Sequence, residues 1–393
     1  MERGAAATAR PIYAGRVKIL VVTTWFPGAH DPATGAFVAK DVLALAAEND
    51  VRVLHLVAPR LHDGGPERGE HGGVPVRRIV MHPGRPGHLA RAHAAVVAES
   101  RWVDVVHTMA FSSLLPFLGR ARPDRPWLHT EHWQGVTSRR HLALPLRAAM
   151  PFLERLLLRP DVVTAVSEYA TAPIRALRGP RPTAVVPCIA ATPAVPPARR
   201  DRDGDRDATL RLVAVGFLNP MKDPCVAVRT VAELAARGVD VHLTWVGDGP
   251  LRAETEALAS ELGVRERLVI TGAVAPADVG VHLAAADLFF LPTRRETFGV
   301  AIAEAIAHGR PVVVGATGAQ REYVAPRVGA LVDVQDPAAY ADEILRVDEA
   351  TRDLAAADVA ASIGGAFAAE RVVAGYERAY REAVAGPSRP GRS

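Results

Sequence analysis

Short β-branched runs alternate with longer Ala- and Leu-rich stretches from one end of the chain to the other, and this alternation constrains the fold most. Near-continuous apolar runs lie at 17–23, 51–57, 103–107, 127–130, 162–166 and 183–186. Helical patterns such as 36–48 and 167–177 separate most of them. Strands with no in–out alternation are buried on both faces, and the helices between them supply the crossovers of a parallel sheet. The pattern halts at 191–208, ATPAVPPARRDRDGDRDA, which is Pro-rich, then densely charged, with no apolar period. It resumes at 210–215 and continues at 241–245, 268–270, 288–291 and 311–314. A chain of 393 residues exceeds one ordinary core. The reading is therefore α/β, with two doubly wound, Rossmann-like domains. The expected division is an N-terminal domain over 1–190, a linker over 191–208 and a C-terminal domain over 209–365, with 366–393 forming a last helix and a disordered tail. Paired sheets of this kind take ligands at the carboxyl ends of their strands, in the cleft between the domains.

Composition narrows the function classes. Cys188 and Cys225 are too few for a disulfide framework and lie in no metal-ligand pattern, so a cytoplasmic protein without a metal is expected. Residues 1–16 hold no apolar core of a signal peptide, and no run of about 18 apolar residues exists. The net charge is only +4 and aromatic residues make up 5%, so nucleic acid is not an expected partner. Arg is used so heavily, in keeping with a GC-rich coding bias, that single arginines carry little weight. The aspartates at 201, 203, 205 and 207 suggest a calcium loop, but Gly204 is out of place and Leu212 stands where a closing Glu belongs. A solvated linker is the expectation. Residues 138–159 carry five arginines among apolar runs. A domain helix with a solvated face is the favoured reading, and peripheral contact with an anionic inner membrane face is the alternative.

The densest chemical signal is 292–311, PTRRETFGVAIAEAIAHGRP. A strand ends at Leu291, a polar loop follows, and a helix is predicted to start near Phe298. The free N–H groups and positive dipole end of that helix suit a phosphate. Gly299 keeps no side chain between backbone and ligand, and Glu304 has two oxygens for a ribose diol. The plain alternative is that Glu296 complements the helix dipole while Glu304 is solvated. This stretch resembles the E-x7-E signature of the retaining GT-B glycosyltransferases of family 4, also called glycosyltransferase group 1. The resemblance implies that Glu296 approaches the donor sugar. It also implies that Thr297, Phe298 and Gly299 offer backbone contacts to sugar and phosphate, and that Glu304 binds ribose.

Other segments resemble the same family. At 216–222, GFLNPMK follows a strand, and the family's diphosphate-binding Gly and Lys fall on Gly216 and Lys222. Phe217 stands where the family usually has Arg, which leaves Arg294 or Arg295 as a substitute cation. The VGDGP turn at 246–250 reads mainly as a turn, and Gly272 to Val274 would lie beside the base. Gly35, in a long loop after the first strand, matches either the family's loop over the donor phosphates or an ordinary glycine opening a helix. His132, in HTEHWQG, resembles the family histidine that faces the donor sugar, with His129 and Glu131 orienting its loop; a structural histidine is the alternative.

The implied fold is GT-B, with the last helix returning to the N-terminal domain. The implied reaction is retaining transfer of a hexose-type sugar from a UDP- or GDP-sugar to an acceptor hydroxyl. A polysaccharide, glycolipid or natural-product acceptor fits, and neither cofactor nor metal is implied. Catalytic assignments fall on His132, Lys222 and Glu296. Phe217 raises one alternative, a catalytically silent donor-binding partner of another transferase. A nicotinamide-dependent oxidoreductase is disfavoured, because no complete Gly-rich fingerprint is present.

Overall fold

The computed structural model describes residues 16–28, 34–62, 64–139, 142–200 and 209–386. The expectations for the N-terminal segment, the acidic run from Asp201 to Asp207 and the last seven residues lie outside the described residues.

The first sheet holds β1 (Lys18–Thr23), β2 (Asp50–Val57), β3 (Arg68–His71), β4 (Val74–Val80), β5 (Val105–Met109), β6 (Trp127–Glu131), β7 (Val162–Ala165) and β8 (Thr183–Val185). Their spatial order is β3-β4-β2-β1-β5-β6-β7-β8. Every pairing in it is parallel except β3 with β4. That hairpin was not expected from the sequence. It turns at Gly72 and Gly73, both at positive φ, which a tight two-residue hairpin turn requires. The second sheet holds β9 (Leu210–Val215), β10 (Val241–Val246), β11 (Leu268–Gly272), β12 (Leu288–Leu291), β13 (Val312–Gly315) and β14 (Gly329–Val332), in the order β11-β10-β9-β12-β13-β14. All five of its pairings are parallel. The central strands β5, β6, β7, β12 and β13 are buried along their whole length, as sheets covered by helices on both faces require.

The order reverses beside β1 in one sheet and beside β9 in the other, so each sheet has a switch point at the carboxyl end of its central strand. The last helix, Ala369–Ala385, buries Val372, Tyr376, Ala379, Tyr380 and Ala383 against the first sheet and the helix Ala36–Glu48. Two buried bonds fix it there. The Tyr376 hydroxyl donates to Asp41 Oδ2 at 2.7 Å, and the Tyr380 hydroxyl meets His107 Nδ1 at 2.8 Å. Where the chain crosses between the sheets, Ala190 N donates to Phe367 O, so the outgoing and returning segments are tied together.

Within 138–159 the helix runs from Leu144 to Leu153. Pro145 lies in its first turn, where no N–H is needed, and Met150 is its one buried residue. Leu144 (78% exposed) and Phe152 (60%) face outward, so the apolar side of this helix, not only its arginines, meets solvent.

Candidate active site

On the second sheet, the loop after β12 is pinned from two sides by its own backbone. Arg294 N donates to Met221 O at 2.8 Å, and Thr293 Oγ1 lies 3.1 Å from the same carbonyl. Glu296 N donates to Thr317 O, and Glu296 O accepts from Ala319 N. The loop after β9 is equally constrained, because Asn219 Oδ1 accepts from the backbone of Met221 and Lys222. These anchors bring Lys222 Nζ to 2.5 Å from Glu296 Oε1, which also accepts from Thr293 Oγ1 at 2.8 Å. Seventy-four positions of sequence thus close into one part-buried ion pair at the sheet's rim.

The helix after this loop is Val300–Ala307, with Gly299 as its N-cap, two residues later than predicted. Phe298 is the reason. Its ring does not start the helix's apolar face but packs into the core of the first sheet's domain, 4.9 Å from Phe367. Pro224 opens the helix after Lys222, and Asp223 before it adopts φ 51° without being glycine. Arg294 pairs with Asp223 at 2.6 Å, whereas the buried Nε of Arg295 has no partner. Phe217 is 58% exposed. The VGDGP glycines are more than a turn. A Cβ on Gly247 would fall 2.2 Å from Gly216 O, so this bare backbone lets the two loops touch. Gly272 ends β11 beside Gly247, with Val274 half-buried just beyond it.

The first sheet supplies the opposite rim. A Cβ on Gly35 would strike the Trp25 carbonyl at 2.3 Å, so packing alone demands glycine at this helix start. Glu131 Oε1 accepts from the backbone N–H of both His132 and Trp133 at 2.8 Å, and His129 Nε2 lies 3.4 Å from Glu131 Oε2. The His132 ring lies tilted 50° to that of Phe37, with centroids 4.9 Å apart, is 5% exposed, and has no partner for either nitrogen. Burial, with a smaller contribution from the His129 charge, pushes its pKa down to about 3. The imidazole is therefore neutral at physiological pH. Ala110, at the end of β5, holds a strained φ of 68° on this same rim.

The rims meet. Thr297 Oγ1 donates to His132 O at 3.1 Å, Gln134 Nε2 to Arg295 O at 3.2 Å, and Ser167 Oγ to Thr297 O at 2.6 Å. Lys40 Nζ reaches across to Glu304 Oε1 at 2.5 Å. The structure thus gathers Lys222, Glu296, Thr297, Phe298, Gly299, Glu304 and His132 around one interdomain cleft. Lys40, Thr293, Gln134 and Ser167 also belong to it and were not anticipated.

Residues 209–349 match the family model described as glycosyl transferases group 1, and residues 33–188 match the glycosyl transferase 4-like domain. A D-inositol 3-phosphate glycosyltransferase from Geodermatophilus obscurus is 31% identical over 345 residues, spanning 79% of this chain and 76% of the relative. Among solved structures, sucrose-phosphate synthase from Thermosynechococcus elongatus superposes with a TM-score of 0.78 at 21% identity, covering 94% of this chain and 100% of that one. Anabaena HepE, solved with UDP and glucose, gives a TM-score of 0.68 at 19% identity over 92% and 99% of the two chains. With two parallel sheets facing each other across a cleft and both halves matched, this chain belongs to the group 1 glycosyltransferases, on the GT-B fold.

Proposed function

We propose that this glycosyltransferase is a retaining enzyme that takes a hexosyl group from a UDP- or GDP-sugar and passes it to an acceptor hydroxyl without a metal ion. The observation that carries the reading is the part-buried Lys222–Glu296 pair, on a loop whose Thr297 donates to the carbonyl of a neutral His132 with unpartnered ring nitrogens. A buried polar ring without a partner costs free energy unless a ligand completes it, and a sugar hydroxyl is a suitable partner. The donor diphosphate lies against the Gly299 helix start and the Lys222 ammonium, with Gly35 closing from the other rim. Glu304 takes the ribose, and Gly272 to Val274 border the base. When the anomeric C–O bond breaks, its electron pair goes to the β-phosphate oxygen, where Lys222 and Arg295 offset the charge. The acceptor oxygen bonds to the same face of the sugar, and its proton passes to that departing oxygen. His132, being neutral, orients the donor sugar rather than carrying charge.

The similar Geodermatophilus protein is an inositol-phosphate glycosyltransferase, so inositol phosphates head the acceptor panel, followed by polysaccharide, glycolipid and natural-product acceptors. The enzyme would work in the cytoplasm at the inner membrane face, with Leu144, Leu146 and Phe152 beside Arg147 and Arg155 as its contact surface. Among the described residues no helix is long and apolar enough to cross a membrane.

The test is a screen of UDP-, GDP- and TDP-sugars in EDTA, scoring slow donor hydrolysis and the configuration of the released sugar. Retained configuration is expected, and inverted product would overturn the mechanism. Glu304→Ala should weaken binding of the preferred nucleotide at least about tenfold, read by calorimetry. Unchanged affinity would remove Glu304 from the donor site. A purified chain with no activity on any donor would favour the silent-partner reading.

A further inference from the structure

Of the 47 Lys and Arg residues, only Lys18, Lys40 and Lys222 are lysines. Lys18 sits at the far end of β1, over the Trp102 ring. The other two each pair with one glutamate of the E-x7-E segment, both at 2.5 Å. A chain that writes nearly every cation as Arg has thus put its remaining lysines on these two carboxylates. A compact ammonium on a flexible stem fits a narrow buried gap that a planar guanidinium would overfill.

The two pairs differ in origin. Lys222 and Glu296 stand on one sheet's domain, whereas Lys40 comes from the helix Ala36–Glu48 on the opposite domain. Glu304 is nine-tenths buried, and its two described partners share one oxygen. Lys40 Nζ and the Ala191 backbone N–H both donate to Oε1, at 2.5 and 3.1 Å. No described residue bonds Oε2. The Ala191 N–H belongs to the segment that crosses between the domains, next to the Ala190–Phe367 tie. The neighbouring Asp41 is held by Tyr376 of the last helix, so the helix that carries Lys40 is fixed from behind. Glu304 therefore has its rotamer set by the far domain and by the hinge while one oxygen remains to accept from a ligand.

We propose that Lys40 is a positioning residue for donor binding. It holds Glu304 Oε1 from across the cleft so that Oε2 is presented to the nucleotide's ribose, which makes tight ribose recognition a property of the closed enzyme. This rests on the assignment of Glu304 to the donor ribose given above.

The test measures calorimetric affinity of the full chain for UDP and GDP and for their 2′,3′-dideoxy analogues, which lack the ribose hydroxyls. Lys40→Met should weaken the preferred nucleotide about tenfold and leave its dideoxy analogue unchanged, so that the ratio between them collapses. Lys40→Met combined with Glu304→Gln should bind no more weakly than Glu304→Gln alone. Lys40→Arg should recover only part of the loss. If Lys40→Met fails to fold, Lys40→Gln reads the same ratio. Equal weakening of the nucleotide and its dideoxy analogue, or additive losses in the double variant, would overturn the proposal, since Lys40 would then act on another part of the ligand. Wild-type affinity in Lys40→Met with weakened Glu304→Gln would overturn it while sparing the donor assignment. Wild-type affinity in both variants would overturn the two together.

Discussion

The two rims of the cleft handle their polar groups in opposite ways. On the second sheet's rim nearly everything is paired within the protein. Glu296 is bonded by Lys222 and Thr293 and clamped through its own backbone to residues 317 and 319, while Arg294 is paired to Asp223. On the first sheet's rim Glu131 accepts from backbone N–H groups and so holds up a histidine whose ring nitrogens have no partner. A rim whose groups are satisfied in the absence of ligand is preorganised for charge, because its dipoles need not reorganise when a diphosphate departs. A rim with a desolvated, unpartnered ring is incomplete until a ligand fills it. The contrast supports the proposed division in which the satisfied rim carries the diphosphate charge and the open rim holds the donor sugar.

The largest effect should come from breaking the satisfied rim. Lys222→Ala removes the ammonium and leaves Glu296 buried with only Thr293 beside it. Donor hydrolysis should fall by more than about a hundredfold, roughly 3 kcal/mol of transition-state stabilisation. Steady-state kinetics that stay within a few-fold of wild type would refute the division of labour. Breaking the open rim should cost less. His132→Ala should reduce turnover about tenfold to thirtyfold while nucleotide affinity stays near wild type, since the proposed site puts the ring against the sugar rather than the nucleotide. Loss of nucleotide affinity equal to the loss of turnover would show that the two rims share one task.

The rims also differed in how far the sequence revealed them. Lys222, Glu296, Gly299 and Glu304 lie in two short windows, each directly after an apolar run, so strand ends exposed the windows and the resemblance to the family picked out the residues within them. Lys40 was invisible because its partner is 264 positions away, and no local pattern marks a helix residue that reaches another domain. Phe298 misled for a related reason. An apolar residue in front of a helical period reads as the helix's first turn, yet this ring is a core residue of the other domain. The β3–β4 hairpin was legible in principle from Gly72–Gly73 between two polar-apolar runs. With two arginines in VPVRRIV, β4 did not stand out as an apolar run. The four-residue β14 with glycine at its start gives almost no period to detect.

The smallest effect isolates the unpartnered ring through pH. His132 titrates near 3 in the folded protein against about 6.5 when unfolded. A depressed folded pKa contributes stability above the unfolded value, and this is lost as pH falls towards 3. Between pH 7.5 and pH 5 the loss should be about 2 kcal/mol. Asp41 opposes it. Burial pushes that carboxyl up to about 7, against the bond from Tyr376, so its contribution is full below the unfolded value and disappears as pH rises through 7. Acidification over the same interval therefore gains from Asp41 about what it loses from His132, while His107, whose pKa burial also pushes well down, adds a further loss, so the wild-type curve alone does not report His132. The difference between wild type and His132→Asn removes the Asp41 contribution, which both share. Urea unfolding at pH 7.5 and pH 5 should show the variant gaining about 2 kcal/mol on wild type across that interval. Parallel curves would mean that His132 is already solvated, with the cleft open in solution and the unpartnered ring no longer a reason to place a sugar against it.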